Sequence, residues 1–383
     1  QNVRLGAGYN YSFKPLSIKP LGKVQAITNK KYLRWLSEIN LNLMPSAVSL
    51  AANINRTFQN QRFRQVFLDG MDASSQLPLP DLQQRNYLFD WLFTVNHNLT
   101  NSFRFDFSAS SRNIVRNYLK NGTAGSTQID TSLDVWDGIW DTGQMDRFDQ
   151  SIGATYQLPF KFIPLLSFLD GTYSYTGNFN WQRGSTALAN VVDENNNSLG
   201  IVHTLQNANT IQWNGSANMQ TLYNSLGLRK NTKKSDKKKA GVQIKNSLIG
   251  AVTALRRVQF SYSENNGTVL PGYTQNIGFL GTANPGIAFA LGRQDDIRFE
   301  AAKRGWLTEF PNFNQAYTTV HNNEISYNAE IGLLQGLQLD LTGNRSYSEN
   351  NSENFSVVNG VYNALSPRLF GNFEISTIML RTS

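Results

Sequence analysis

The chain has 383 residues, of which 40% are hydrophobic, with a net charge of +8 and no cysteine. The lack of cysteine excludes a disulfide framework and a thiolate metal site. The mean hydropathy is −0.38, and no apolar run approaches the roughly 18–20 residues of a membrane helix, which excludes a helical membrane protein. Aromatic residues make up 12% of the chain, a content that suits the interfacial girdles of an outer-membrane β-barrel.

Runs of roughly ten residues with alternating apolar and polar side chains recur along the chain. In the first of them Val3, Leu5 and Ala7 alternate with polar or small residues. A strand points successive side chains to opposite faces, so each run has an apolar and a polar face. The length matches the roughly 9–11 tilted residues with which a strand crosses a bilayer. The pattern predicts an all-β membrane fold of about eleven antiparallel strands, near 3–13, 47–58, 88–99, 103–111, 147–158, 168–181, 210–219, 257–264, 323–332, 337–347 and 369–378.

The connections between these strands fall into short turns and long polar segments. Short turns at 100–102 and 333–336 indicate the periplasmic side, because outer-membrane strands have short turns there and long loops outside. Two long segments, 14–46 and 220–256, fall on the short-turn side and are predicted as periplasmic insertions with a short helix each, at 29–36 and 247–255. A short strand across 36–43 is the alternative. The predicted extracellular loops are 59–87, 112–146, 182–209, 265–322 and 348–368.

The strand number also bears on the size of the barrel. Bacterial single-chain barrels have an even number of strands, so eleven strands are not expected to close on themselves. The chain begins within a strand at Val3 and ends at Ser383 without a C-terminal aromatic residue. We therefore expect residues 1–383 to be one interior segment of a very large barrel.

The polar phase of the strands carries neutral hydrogen-bonding side chains and few charges. A small-solute porin would more often place a charged ring at a constriction, whereas this lining suits a wide conduit that does not grip its passenger. The interior of any barrel is polar, so this pattern does not by itself distinguish a protein conduit from other barrels. The predicted lumen-facing residues are Ser49, Asn53, Asn55, Asp90, Thr94, Asn96, Arg104, Asp106, Ser174, Asn178, Asn214 and Ser216. The predicted lipid-facing residues are Tyr173, Tyr175, Phe179 and Trp181.

Catalytic and metal-binding patterns are weak. The histidines, His97, His203 and His321, lie in three segments without metal-ligand spacing, so we predict no enzyme, no catalytic or metal site and no cofactor. Carboxylates between 134 and 149 could hold Ca²⁺ through oxygen ligands, but their spacing is not that of an EF-hand. The alternative is a solvated loop pinned by Trp136 and Trp140.

A basic run follows the seventh predicted strand. It has no interleaved aromatic residues for base stacking, so no nucleic acid is expected as a partner. A solvated periplasmic loop is the simplest interpretation, and contact with an acidic partner or phospholipid headgroups is the alternative. The run includes Lys233, Lys234, Lys237, Lys238 and Lys239.

Several stretches together resemble a known family. They are Asn42-Leu43-Met44-Pro45-Ser46-Ala47-Val48-Ser49, Asn55-Arg56-Thr57-Phe58, Asn178-Phe179-Asn180-Trp181, Leu222-Tyr223-Asn224, Val258-Gln259-Phe260-Ser261-Tyr262-Ser263, Gly267-Thr268-Val269-Leu270-Pro271-Gly272-Tyr273, Pro285-Gly286-Ile287-Ala288-Phe289 and Gly292-Arg293-Gln294. In order and spacing they resemble the SprA/Sov family, the giant outer-membrane translocons of type IX secretion in Bacteroidota. The resemblance implies a barrel of exceptional size through which folded cargo crosses the outer membrane, in cells capable of gliding motility.

The same resemblance implies partners and leaves competing functions. Implied partners are secreted cargo proteins, a PorV-type shuttle, a periplasmic plug protein, accessory lipoproteins or a peptidyl-prolyl isomerase, and outer-membrane lipid. A TonB-dependent nutrient receptor or a large porin-like barrel is the alternative, although no plug domain or energy-coupling box is visible. A surface adhesin with a soluble β-sandwich would have shorter strands without aromatic belts.

Overall fold

The computed structural model describes residues 1–24, 36, 39–62, 82–119, 130, 132–163, 166–194, 196, 198–228, 253–334 and 337–376. In these ranges eleven long strands form one antiparallel sheet, and each pairs with its neighbours in chain order. All eleven predicted strands are present. The strands are β1 Asn2–Ser12, β4 Ala47–Gln61, β5 Leu82–Asn98, β6 Phe103–Ile114, β7 Gln144–Gln157, β8 Leu169–Gln182, β9 His203–Asn218, β10 Leu255–Tyr273, β11 Tyr317–Leu334, β12 Leu337–Val358 and β13 Val361–Ile375.

Smaller elements lie in the connections. Two short strands, β2 Ser17–Ile18 and β3 Leu41–Asn42, pair outside the main sheet. Of the alternative strand across 36–43, residues 41–42 are strand, whereas Leu36 is helical. The helices are α1 Met219–Ser225, α2 Ile287–Ala290 and α3 Arg298–Lys303, with single turns at Phe160–Phe162, Leu188–Asn190, Phe279–Gly281 and Thr282–Gly286. No helix that the structure describes is both long and apolar enough to cross a membrane.

The predicted helices at 29–36 and 247–255 and the basic run with Lys233, Lys234, Lys237, Lys238 and Lys239 lie almost wholly outside the described residues. Only Leu36 of the first helix is described, in helical conformation. Leu255 belongs to β10, so a helix reaching that residue is wrong.

Strand pairing sorts the side chains of the sheet onto two faces. Tyr173 of β8 pairs with Trp213 of β9, which pairs with Tyr262 of β10. The neighbouring rung pairs Ser174 with Gln212. Because rungs alternate between faces, one face carries the aromatic and aliphatic side chains and the other carries Ser, Thr, Asn and Gln. We call them the apolar face and the polar face.

The two ends of the sheet differ in their connections. The turn end carries the connections 99–102 and 158–168, and the loop end carries 115–143, 183–202 and 274–316. The strands are longer than expected, with 19 residues in β10 and 22 in β12. At about 3.3 Å per residue the longer strands extend over roughly 60–70 Å, well beyond a bilayer's hydrocarbon thickness.

The prediction that residues 348–368 form a loop is wrong. This segment is strand on both sides of a two-residue turn at Asn359 and Gly360, which both have positive φ and so form the kind of turn that a tight hairpin favours. Residues here are polar on both faces, for example Glu349 and Asn350, so hydropathy shows no alternation although the backbone ladder continues. The other four predicted loops are also shortened by their flanking strands.

Candidate functional site

The polar face brings together all the residues predicted to line a lumen. Successive pairs such as Ser49 with Thr94, Asn96 with Asp106 and Thr172 with Asn214 connect them across neighbouring strands. The register therefore places on this one face Ser49, Asn53, Asn55, Asp90, Thr94, Asn96, Arg104, Asp106, Ser174, Asn178, Asn214 and Ser216.

Several charges on the polar face are paired within short distances. Arg104 Nε lies 2.8 Å from Asp106 Oδ2, and Arg147 Nε lies 2.7 Å from Asp149 Oδ2. Arg112 pairs in the same way with Asp90 across β5 and β6. These pairs are solvent-exposed, so they contribute little to stability and reduce the net field of the face.

The polar face is also hollowed. A depression of about 670 Å³ spans β8 to β12. Most of the residues that line it have hydroxyl or amide side chains, among them Thr172, Asn214, Ser261, Ser326 and Asn344, and the aromatic residues Phe260 and Tyr327 also border it. Ser261 Oγ donates a hydrogen bond to Asn214 Oδ1 across the strands. The arrangement offers weak, replaceable hydrogen bonds over a wide area.

The apolar face has an exposed zone toward the turn end. Tyr9 is 63% exposed and its cross-strand partner Leu50 is 50% exposed. Other exposed apolar side chains in the same zone are Leu5, Tyr11, Trp213, Phe260, Tyr327 and Leu339. An extended exposed apolar surface of this kind marks contact with another apolar phase or with a partner.

Toward the loop end the apolar face is covered by the chain itself. Residues 274–316, here called the covering segment, contain α2 and α3 and pack on strands β7 to β12. Phe179 and Trp181 are only 1% and 2% exposed, and the ring centroids of Phe179 and Phe289 lie 6.1 Å apart. The prediction that Phe179 and Trp181 face lipid is therefore corrected, because both contact protein. Tyr173 and Tyr175 remain partly exposed on the same face.

Side-chain amides fasten the covering segment to the sheet. Asn207 Nδ2 donates hydrogen bonds to the carbonyl oxygens of Phe289 and Arg293 at 2.9 and 2.8 Å. Asn209 Nδ2 donates to Gly292 O at 2.8 Å, and Gln150 Nε2 donates to Ala290 O at 3.0 Å. Together with the Tyr175 hydroxyl, which donates to Leu291 O, these donors reach five consecutive carbonyls. We call this set the amide clasp.

The amide clasp was missed by sequence reasoning. The sequence feature that indicates it is a polar amide at a position where the alternation calls for an apolar residue, as at Gln150 and Asn207. On β9 this interruption is the reason why the predicted strand, 210–219, begins too late. A buried amide needs hydrogen-bond partners, so such interruptions predict that backbone from elsewhere in the chain packs against them.

We expect Asn207→Ala to destabilise the seating of the covering segment by about 2–4 kcal/mol, because two buried carbonyls lose their donor. Hydrogen exchange of residues 287–294, followed by mass spectrometry, would show faster exchange. Asn178→Ala is the matched control, since Asn178 is exposed on the polar face and its loss should change stability by less than about 0.5 kcal/mol. Equal protection in Asn207→Ala and wild type would contradict the clasp.

A second fastening holds the covering segment through α3. Arg298 donates to both carboxylate oxygens of Asp296, from Nε at 2.8 Å and from Nη2 at 2.7 Å. Its Nη1 contacts Glu353 of β12, which also accepts a hydrogen bond from the Tyr362 hydroxyl at 2.7 Å. The side chains of Arg298 and Glu353 are 17% and 6% exposed. Pairing with Arg298 lowers the pKa of Asp296, and burial beside Glu353 raises that of Tyr362.

The loop 132–143 is likewise held to the sheet by a side chain that donates hydrogen bonds to its backbone carbonyls. Arg56 is fully buried and donates to the carbonyl oxygens of Val135 and Asp137 at 3.2 and 2.8 Å, and also to that of Gly138. Its guanidinium lies 4.8 Å from the Tyr87 ring centroid. The loop is thereby fixed over the loop end of the apolar face at β4 and β5.

Two of the carboxylates considered as calcium ligands, Asp134 and Asp137, cap turns of this loop. Asp134 Oδ1 accepts a hydrogen bond from Trp136 N at 2.6 Å, and Asp137 Oδ2 accepts one from Asp134 N at 2.6 Å. Trp140 is 82% exposed and Trp136 is exposed as well, so they do not pin the loop; Arg56 does. Within the described ranges, no three His, Cys, Asp or Glu side chains are grouped as metal ligands.

The three histidines lie on three different strands, β5, β9 and β11. His203 is 8% exposed and its ring centroid lies 4.5 Å from that of Trp181. Burial, and secondly the charge of Arg183, lowers the pKa of His203 from 6.5 to about 4. The imidazole is therefore neutral in the folded protein at neutral pH.

This pKa predicts acid sensitivity at the loop end. Between pH 6.5 and about 4 the unfolded chain binds a proton at His203 that the folded protein does not, so stability falls as the pH is lowered. The full loss is about 3 kcal/mol and is complete below the folded pKa. His203→Phe keeps the ring contact and should flatten this part of a denaturant-midpoint versus pH curve. An unchanged slope in His203→Phe would assign the sensitivity to other groups.

Compared with models of known protein families and with curated protein sequences, the chain has no match. The fold and the contacts above are thus the basis for the functional assignment.

Proposed function

We propose that this chain is part of the wall of a protein-conducting pore in the outer membrane, of the kind that serves type IX secretion in Bacteroidota. The observation that carries the proposal is the division of the eleven-stranded sheet into a hollowed, hydrogen-bonding polar face and an apolar face with an exposed zone. In a membrane wall the polar face borders a water-filled lumen and the exposed zone contacts lipid.

The exposed zone has a suitable height. On β1 it runs from Leu5 to Tyr11, with Val3 already buried beneath the loop held by Arg56. Side chains on one face recur every second residue, so the zone covers about seven to nine residues of each tilted strand, close to the outward apolar band of about 25 Å in known barrels. The remaining length of each strand stands outside the hydrocarbon under the covering segment.

The orientation follows from the connections. The turn end would face the periplasm and the loop end, with the covering segment, the cell surface. The basic run 229–239 connects β9 and β10 at the turn end, so it would be periplasmic. The resemblance of the sequence to the SprA/Sov family supports the same orientation and adds the partners implied there, namely cargo proteins, a PorV-type shuttle, a plug protein and accessory lipoproteins or a peptidyl-prolyl isomerase.

The neutral polar face favours a passive conduit over a receptor. A nutrient receptor concentrates recognition in a few side chains, whereas this face spreads exposed Ser, Thr, Asn and Gln over β4 to β12. Several charged groups on it are paired, as at Arg104 and Asp106. A passenger would therefore meet water and weak hydrogen bonds, and no chemistry is required of the wall.

The proposal predicts that bulk on the polar face obstructs transport of folded proteins. Asn214→Cys should react with a polyethylene-glycol maleimide of about 5 kDa in intact membranes, and secretion of a folded reporter should fall several-fold after modification. Trp213→Cys is the matched control, because the adjacent residue lies on the opposite face and should stay unmodified. Normal secretion with fully modified Asn214→Cys would argue against a conduit, and uptake defects confined to a small nutrient would favour the receptor.

A further inference from the structure

Four side chains with polar atoms lie together at the loop end of the sheet, where the apolar face is covered. Trp181 belongs to β8, and Arg183 directly follows that strand. His203 begins β9 and is the cross-strand partner of Tyr273 of β10. The ring centroids of Trp181 and His203 lie 4.5 Å apart. We call these four residues the donor cluster, and they connect three neighbouring strands.

Each member of the donor cluster has a buried polar atom without a hydrogen-bond partner among the described residues. These atoms are Trp181 Nε1, Arg183 Nε, His203 Nδ1 and Tyr273 Oη. The side chains of Trp181, His203 and Tyr273 are buried, so bulk water does not reach them. The indole and guanidinium nitrogens can only donate, and the hydroxyl and the imidazole can donate as well. Buried donors need an acceptor, so what the cluster lacks is acceptors.

The charge around the donor cluster is positive. Arg183 Nη1 donates to the neutral amide oxygen of Gln144 at 2.7 Å, and Arg183 forms no ion pair with a carboxylate that the structure describes. Burial lowers the pKa of Arg183, the charge of Arg116 lowers it further, and Asp146 raises it by less. The pKa of His203 is lowered by burial and then by the charge of Arg183. A negative charge at this place would offset the field that acts on both groups.

The surroundings of the donor cluster limit the size of a ligand. Gly184 and Val202, which adjoin Arg183 and His203 along the chain, pack so closely that a Cβ at Gly184 would clash with Val202 O. The covering segment closes the other side, since the ring of Trp306 lies 6.4 Å from that of Tyr273 between centroids. A phosphorylated molecule or a protein side chain would have to open this packing, whereas a single small ion would not.

We propose that the donor cluster binds one chloride ion, held by Trp181 Nε1, Arg183 Nε and the Tyr273 hydroxyl. His203 is a fourth donor in the tautomer with a proton on Nδ1. A chloride ion accepts several hydrogen bonds and compensates the buried guanidinium, and an uncompensated buried charge is costly. A water molecule would have to donate hydrogen bonds as well as accept them, and it would leave the charge uncompensated. The site uses contacts within the folded chain alone and does not depend on the proposed membrane wall.

The test is hydrogen exchange of the full-length protein in sodium chloride and in sodium gluconate at equal ionic strength. Mass spectrometry follows peptides that contain residues 203–206, and peptides from residues 90–96 of β5 are the internal reference. An ion that binds only the closed site slows exchange through its opening by mass action. At a chloride concentration of ten times the Kd, we expect exchange of 203–206 to slow about tenfold relative to gluconate, with saturation at higher chloride and no change in the reference.

Variants locate the chloride effect within the chain. Arg183→Met removes the charge and the Nε donor and keeps most of the side-chain length, so it should abolish the difference between the two salts. Trp181→Phe keeps a ring in place and removes one donor, so it should raise the chloride concentration of half-effect several-fold. Arg112→Met is the matched control, because Arg112 is exposed on the polar face and pairs with Asp90. It should respond to chloride as the wild type does.

The outcomes separate a chloride ion from water and from a general salt effect. Equal exchange of 203–206 in chloride and gluconate in the wild type overturns the site and leaves water as the acceptor. A difference that grows without saturation overturns it as well, since it reports salt acting on the whole protein. An identical chloride response in wild type, Arg183→Met and Trp181→Phe places the ion elsewhere in the chain. Should Arg183→Met fail to fold, the response of Trp181→Phe decides.

Discussion

Replacing Arg298 by Met should release the covering segment at a cost of about 3–5 kcal/mol, the range for removing one partner of a buried ion pair. Glu353 is 6% exposed on its side chain and would keep only the Tyr362 hydroxyl as a donor. Trypsin cleavage after Lys303 would report the opening, since the cleavage rate follows the open population when closing is fast. The rate should rise about 100-fold or more.

The double variant Arg298→Met with Glu353→Leu is the decisive control. A buried pair replaced by apolar side chains is often close to neutral in stability, so the double variant should recover to within about 1–2 kcal/mol of wild type. Glu353→Leu alone should cost less than Arg298→Met, because Arg298 keeps both hydrogen bonds to Asp296. A double variant as unstable as Arg298→Met would show that the uncompensated carboxylate is not the cause.

The sequence predicted the sheet well because each strand has one stretch where apolar and polar residues alternate. On β8, Tyr173 and Tyr175 alternate with Ser174, and the pairing places them on opposite faces as the period requires. The predicted strands were too short at the end where the apolar face is covered by protein. There the apolar phase carries Asn207, Asn209 or Thr268, which bond to the covering segment and give no hydropathic signal.

The covered half of the apolar face could not be predicted from local pattern. Arg56 meets its carbonyl partners about 80 residues later in the chain, and Gln150 meets Ala290 across 140 residues. A buried arginine in a strand indicates that acceptors exist but does not tell which segment supplies them. Phe179 and Trp181 lie on the same face of β8 as Tyr173, and yet both contact protein. The alternation of the sequence determines on which face a side chain lies, but not what covers that face.

Covering and exposure together define which part of the apolar face would contact lipid in the proposed membrane wall. The fastened segments occupy the loop end, where Phe179, Leu205 and Leu270 are buried. Toward the turn end, Leu50, Trp213 and Tyr327 remain open on strands β4, β9 and β11. Substitution with arginine in this exposed zone is therefore a direct test of membrane contact.

The triple variant Leu50→Arg, Trp213→Arg and Tyr327→Arg should fail to assemble in the outer membrane. Arginine on the lipid face costs about 2–4 kcal/mol near the bilayer midplane, and residues on separate, non-adjacent strands contribute almost additively. The sum of roughly 6–12 kcal/mol is comparable to the whole net stability of a typical folded protein. Heat-modifiable migration on gels and recovery in outer-membrane fractions would measure the loss.

Each of these positions has a neighbour on the polar face, which gives a control of equal charge. Ser49→Arg, Asn214→Arg and Ser326→Arg place three arginines one residue away, on the side that would border water, where a guanidinium stays hydrated. This variant should assemble at near wild-type levels. If both triple variants assembled equally well, the apolar face would not contact lipid and the exposed zone would have to be a protein interface. If both failed, the sheet would be buried on both faces, and neither a lumen nor a lipid surface could be assigned to it.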